Sequence, residues 1–165
     1  MLARRDGTES VVVRLFNTYG PGEYYSVYRS VNCRFLYCAL HGLPWTVFRG
    51  HQRTSTYLAD TVRTLANIVD TFRPGETYNI GGDSLHTIEE LSDVILKVTG
   101  ADSRLVRYRD SEILTTKLKR VDVTKAIRDL GHQNSYGLEE GMRLTAEWMR
   151  GAYSDSLKPV ETAKE

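Results

Sequence analysis

The sequence predicts an α/β protein on three observations. SVVVRLFN (10–17) is a β-branched apolar run of strand length. The segment 88–99 carries apolar residues at helical spacing behind a helix-start signal. Short strand-like runs alternate with such helical segments along the whole chain, the order expected of mixed α/β folds. The elements are short and unevenly spaced, so they do not form a self-contained series of complete βαβ units. The last helices read as a small lobe.

Taken in order, 10–17 is a strand expected to be buried, and Asn17 to Gly22 is a turn punctuated by Pro21 and Gly22. Ser30 to His41 is a helix with apolar residues at Val31, Phe35, Leu36, Ala39 and Leu40, closed by Gly42 and Pro44. WTVF (45–48) and STYL (55–58) are short strands. Asp60 is expected to N-cap the next helix, whose apolar face is Val62, Leu65, Ala66 and Val69, and RPG (73–75) stops it. TYNI (77–80) is a strand running into Gly81-Gly82. Thr87 and Glu90 form a capping box for a helix with its apolar face at Ile88, Leu91, Ile95 and Val98. RLVRY (104–108) is a strand, TKAIRDL (124–130) a short helix stopped by Gly131, and 137–150 a last amphipathic helix. From Ser154 the composition is that of disorder.

Composition excludes several classes. The 165 residues suffice for one domain with a real core. A hydrophobic fraction of 41%, a charged fraction of 26% and a net charge of +1 give no pull toward nucleic acid or membrane surfaces. No apolar stretch approaches the length of a membrane span, and the first residues lack the apolar segment of a secretory signal, so a cytoplasmic protein is expected. Cys33 and Cys38 suit neither a local disulfide nor a C-x-x-C site and read as small core residues. The four His (41, 51, 86, 132) are scattered, with no metal-ligand spacing. RGHQR (49–53) is a small basic cluster without the extent or the interleaved aromatics of a nucleic-acid groove.

At RLFNTYGP (14–21) the sequence resembles the extended short-chain dehydrogenase/reductase family of NAD-dependent nucleotide-sugar epimerases and 4,6-dehydratases. The resemblance continues in register through ALHGLPWTVFRG (39–50), RTSTYLAD (53–60), YNIGG (78–82), DVTKAIRDLGH (122–132) and LEEGMRLTAEWM (138–149). Each motif is weak alone, and it is their order over residues 10–150 that carries the likeness. What it implies is the C-terminal part of a Rossmann-type fold with its small substrate-binding lobe.

Site roles follow from the resemblance residue by residue. Asn17 matches a substrate-contacting Asn that hydrogen-bonds the diphosphate or sugar; the alternative is an Asn tolerating a left-handed turn. Arg53 matches the Arg that clamps the substrate diphosphate, a task suited to the guanidinium fork; the alternative is a solvated surface residue. Arg29 stands where a basic residue would meet a phosphate. Asn79 would approach the nucleotide, unless the Gly-Gly turn after it is purely structural. Leu15 and Phe16 would face the nicotinamide through backbone or apolar contact, or serve simply as strand core. Tyr57 is expected to pack, and RGHQR to belong to the phosphate-facing loop.

The sequence also departs from the family. Where members carry Arg-Pro-Gly-Asp, this chain reads EILT (112–115), and Glu112 cannot replace a cation, which leaves Lys117 or Lys119 as substitutes. His132 stands in place of a usual Trp and is expected to pack. No Gly-x-Gly-x-x-Gly turn occurs, and no Tyr is followed by Lys four residues on, the pair that supplies acid/base catalysis in the family. No catalytic residue is therefore assigned.

The expectation is a C-terminal half: the last Rossmann strands and substrate lobe over 1–153, with a tail at 154–165. An N-terminal Rossmann half of similar size would hold NAD and the Tyr-Lys pair. This chain would bind a nucleotide-diphosphate sugar, hold no cofactor by itself and be inactive alone. A non-catalytic sugar-nucleotide module, or a remnant without ligand, are the alternatives. The strand at 10–17 is apolar on both faces and expects neighbours on both sides, so self-association through exposed apolar surface is predicted.

Overall fold

A computed structural model describes residues 7–110 and 115–155. Among the described residues, four pairs of strands and five α-helices build an α/β fold around two cores. β1 (Val12–Leu15) pairs in parallel with β6 (Thr77–Ile80), Val12 opposite Thr77 and Leu15 opposite Ile80. α2 (Leu58–Asp70) and α4 (Thr124–Leu130) cover this pair. The smaller core is Tyr78, Ile80, Ala126 and Leu130, packed against Val11, Val13, Leu65 and Ile68.

The larger core lies among α1 (Val31–Leu40), α3 (Ile88–Thr99) and α5 (Leu138–Ala152). β3 (Trp45–Phe48) joins it, paired in parallel with β8 (Val106–Arg109). Phe35, Leu36, Val47, Leu91, Ile95, Met142 and Met149 are buried there, 5% exposed or less. Two short pairs stitch the cores together: β2 (Thr18–Tyr19) runs parallel to β5 (Thr56–Tyr57), and β4 (Gln52–Thr54) antiparallel to β7 (Leu85–Thr87).

Local signals decide the helix ends. Ser30 caps α1 by accepting from Cys33 N (3.2 Å). Thr87 and Glu90 exchange both bonds of the capping box, at 3.0 and 2.7 Å, and Gly100 closes α3 in the left-handed region at φ 73°. Gly131 does the same for α4. Asp102 captures Arg104 N (2.8 Å), so the expected strand at 104–108 begins as a 3₁₀ turn and becomes strand only at Val106.

Three further expectations are corrected. Asp60 does not cap α2: the helix starts earlier, at Leu58, and Asp60 is its third residue. The carboxylate is fully buried, accepting from Arg63 Nη2 (2.8 Å) and Tyr136 N (3.2 Å). The buried face of α2 is Asp60, Thr61 and Thr64. Of the expected face only Leu65 packs inward, while Val62 and Val69 are 53% and 81% exposed. Hydrogen bonds to residues 130–136 make this possible: Thr64 Oγ1 lies 2.7 Å from His132 Nδ1, and Asn67 donates to Leu130 O at 2.8 Å. The strand at 10–17 is shorter than expected and is not buried; Val12 and Leu15 are 50% and 53% exposed because β6 flanks it on one side only.

Candidate functional site

A cavity of about 350 Å³ opens between α1, β3 and β4. α1 turns Val31, Arg34, Phe35 and Cys38 toward it, the i, i+3, i+4, i+7 face of one helix. Tyr25, Trp45 and Phe48 add aromatic wall, and His51, just before β4, and Arg53, within it, complete the lining. Its described charged side chains, Arg34 and Arg53, are both cationic. Aromatic surface beside guanidinium groups suits a ligand with a flat ring at one end and an anion at the other.

Arg53 is 9% exposed, and its Nη1 donates to the carbonyls of Gln52 (2.7 Å) and Lys117 (3.0 Å). It is not the solvated surface residue of the alternative reading. Lys117 and Lys119 are exposed and serve β4 through their backbones: Gln52 N donates to Lys117 O, and Lys119 N to Gln52 O. Glu112 lies outside the described residues.

Asn17 holds the left-handed backbone at φ 45°. Its Nδ2 donates to Thr54 O (2.9 Å) and its carbonyl accepts from Thr56 N (3.2 Å). The turn is thereby tied to the segment that carries Arg53. Arg29 is exposed and lines a different, shallower hollow formed by the 18–23 turn and Leu58. Asn79 donates to Asp122 O (3.2 Å), while its Oδ1 is buried without a partner among the described residues. Leu15 and Phe16 sit at the end of β1, 53% and 37% exposed. The structure thus brings Asn17 up to the Arg53 segment and leaves Arg29, Asn79, Leu15 and Phe16 outside the cavity.

The glycines after β6 are occupied by the chain itself. A Cβ on Gly82 would collide with the Ser55 carbonyl and come within 2.8 Å of Ser55 N. One on Gly81 would come within 2.9 Å of Phe16 and Val121. This turn is packed against protein and provides no open cradle for a dinucleotide pyrophosphate. Among the described residues no cluster of three His, Cys, Asp or Glu is placed to hold a metal. Cys33 is buried, its Sγ 3.3 Å from Glu23 O, and burial pushes its thiol up to about 12. That thiol is a core residue, as its sequence context predicts.

Several site residues have no motif in the sequence. Arg34 looks like the polar side of an amphipathic helix, and the aromatic wall is drawn from three separate segments. The signal for Arg34 is its position one residue before buried Phe35 and three after Val31. A second polar cluster was equally silent: Ser55 Oγ lies 2.8 Å from His86 Nε2, and Asn32 Nδ2 donates to the same hydroxyl (3.3 Å).

Comparison with known proteins agrees with this architecture. The family model described as NAD dependent epimerase/dehydratase family matches residues 2–81. A dTDP-glucose 4,6-dehydratase of Streptomyces niveus is 30% identical over 164 residues, covering 97% of this chain and 48% of the relative. A UDP-N-acetyl-alpha-D-glucosaminuronate decarboxylase of Bacillus cytotoxicus is 28% identical, covering 90% and 49%. The solved UDP-glucose 4-epimerase of Thermotoga maritima, with UDP-glucose, superposes with a TM-score of 0.81 at 29% identity over 91% of this chain and 48% of that one. The chain spans about half the length of the relatives it matches. With the motifs in register and the fold shared, this chain is similar in sequence and fold to the NAD-dependent epimerase/dehydratase family.

Proposed function

We propose that this chain is the substrate-binding, C-terminal half of an NAD-dependent nucleotide-sugar epimerase or 4,6-dehydratase. The observation that carries the reading is the cavity shared by Arg53, Arg34 and an aromatic wall. In this reading the flat nucleobase lies against Phe35, Phe48 and Trp45. The two guanidinium groups hold the diphosphate, and Asn17 fixes the turn beside them. The chain's part in the reaction is to bind and orient the sugar nucleotide and to shield it from water. NAD, when bound in the complete enzyme, supplies hydride transfer to and from the sugar, and its site and the Tyr-Lys pair belong to the other half. Alone, the chain is inactive and cytoplasmic, with no nucleic-acid or membrane partner.

A non-catalytic sugar-nucleotide module is the second reading, favoured by one observation: both guanidinium groups and the aromatic wall proposed to hold the ligand are residues of this chain. Both readings require binding. Calorimetric titration with UDP-glucose, dTDP-glucose and NAD should give heat with a sugar nucleotide and none with NAD. Arg53→Ala should weaken sugar-nucleotide binding by about tenfold or more, the worth of a lost charge-assisted pair. Absence of heat with every sugar nucleotide tried would overturn both. Turnover on adding a family Rossmann half, supplied as a separate chain with NAD, would separate the first reading from the second.

A further inference from the structure

We propose that Tyr153, at the end of α5, is a positioning residue of the cavity: its hydroxyl holds the backbone of Tyr25, and through it the Tyr25 ring in the cavity wall. The inference rests on the sugar-nucleotide reading above. It adds to that reading a residue that lies past the last family motif, at 138–149, and outside the cavity lining.

The segment 21–29 is built of turns rather than helix or strand, so no regular pairing fixes its backbone. Such a segment lies where its individual hydrogen bonds and ring contacts hold it. Tyr25 N donates to the Tyr153 hydroxyl at 2.9 Å, a bond between residues 128 apart in sequence. The Tyr25 ring stacks on Tyr37 of α1, centroids 3.9 Å apart and planes 12° from parallel. Tyr153 stands edge-on to the same Tyr37 ring, at 5.2 Å and 74°. The neighbouring Tyr24 is edge-on to Trp148 of α5 at 5.3 Å. One hydrogen bond and these ring contacts thus hold Tyr25 between α1 and the last turn of α5.

The placement of that ring decides what the cavity can grip. One face of Tyr25 is covered by Tyr37, and the residue lines the cavity. What it offers a ligand is therefore its remaining face or its edge, the kind of surface a flat nucleobase packs against. Arg34 and Arg53, which serve the anionic end, stand on α1 and β4 rather than on the 21–29 segment. Release of Tyr25 would cost the base contact and leave the anion contact in place. Ligands with and without a base report that change differently.

The test uses the 165-residue chain, with UDP and inorganic pyrophosphate as calorimetric probes. Tyr153→Phe removes the hydroxyl and keeps the ring against Tyr37. It should bind UDP about fivefold more weakly, the worth of one neutral hydrogen bond, and bind pyrophosphate as the parent does. Tyr25→Ala should also weaken UDP alone, and adding Tyr153→Phe to it should change nothing further, since the two residues act as one unit. Equal UDP binding by the parent and Tyr153→Phe overturns the proposal. An equal loss on both probes does so too, because the hydroxyl would then serve the fold at large. A further fivefold loss in the Tyr25→Ala background also overturns it, since Tyr153 would be acting by another route. A parent chain that binds neither probe overturns the sugar-nucleotide reading and this proposal with it. That result is distinct from a parent that binds UDP and a Tyr153→Phe chain that matches it.

Discussion

His86 is 9% exposed and presents its two ring nitrogens to different partners. Nδ1 faces Thr87 O at 3.2 Å and so carries the proton, which leaves Nε2 to accept from the Ser55 hydroxyl at 2.8 Å. Burial holds its pKa below the ordinary histidine value, and the Arg53 charge adds to that, while the Thr87 carbonyl and Glu90 act in the opposite sense. The unfolded chain therefore binds this proton more readily than the folded one. Its contribution to stability is complete above the unfolded value of about 6.5 and is lost as pH falls below it. Melting temperature should accordingly drop between pH 6.5 and pH 5, and His86→Gln should remove part of that slope. A His86→Gln chain with the parent's full slope would show that other groups carry the acid sensitivity.

Residues of this kind mark the boundary of what a sequence discloses. Thr87 and Glu90 were readable because a capping box is closed within four residues. Arg53 was readable through its place in a longer motif. Arg34 and the Ser55–His86 pair were silent, since their meaning arises only where α1, β4 and β7 meet.

At the scale of elements, α2 and α3 make a contrast. Both have helical periodicity, but α3 buries its predicted apolar residues Ile88, Leu91 and Ile95, whereas α2 turns three of its four outward. Periodicity reports that a helix has an apolar stripe; it does not report whether the stripe meets a partner in the same chain. For α2 the stronger demand is polar, because Asp60 and Thr64 are satisfied by the 132–136 segment and Thr61 pairs with Thr18 Oγ1 at 3.1 Å, and all three are buried for that reason. Leu91→Ala, in the larger core at 0% exposure, should cost about 2–5 kcal/mol in urea unfolding. Val69→Ser, at 81% exposure, should stay within about 0.5 kcal/mol of the parent. A Val69→Ser cost as large as that of Leu91→Ala would mean the outer stripe of α2 is covered in solution.

At the scale of the whole molecule the two cores differ in completeness. The larger is enclosed by three helices and β3, whereas the smaller rests on a pair of strands. Val12 N and Phe16 N donate toward β6, at 2.9 Å each, so the intervening Val13 and Leu15 turn their backbone groups the other way. No described strand meets that edge. An apolar strand with one open edge and the exposed side chains Val12, Leu15 and Phe16 is a template for pairing with another chain. In the proposed complete enzyme that neighbour is the other Rossmann half. For this chain by itself the expected result is concentration-dependent association, read as a rising sedimentation coefficient. Leu15→Lys places a charge at the open edge and should restore monomer without lowering the melting temperature, since the position is 53% exposed. A parent chain that sediments as a monomer at every concentration would show that its own residues cover β1. The same chain associating equally well with Lys at position 15 would place the contact elsewhere, on the outer stripe of α2.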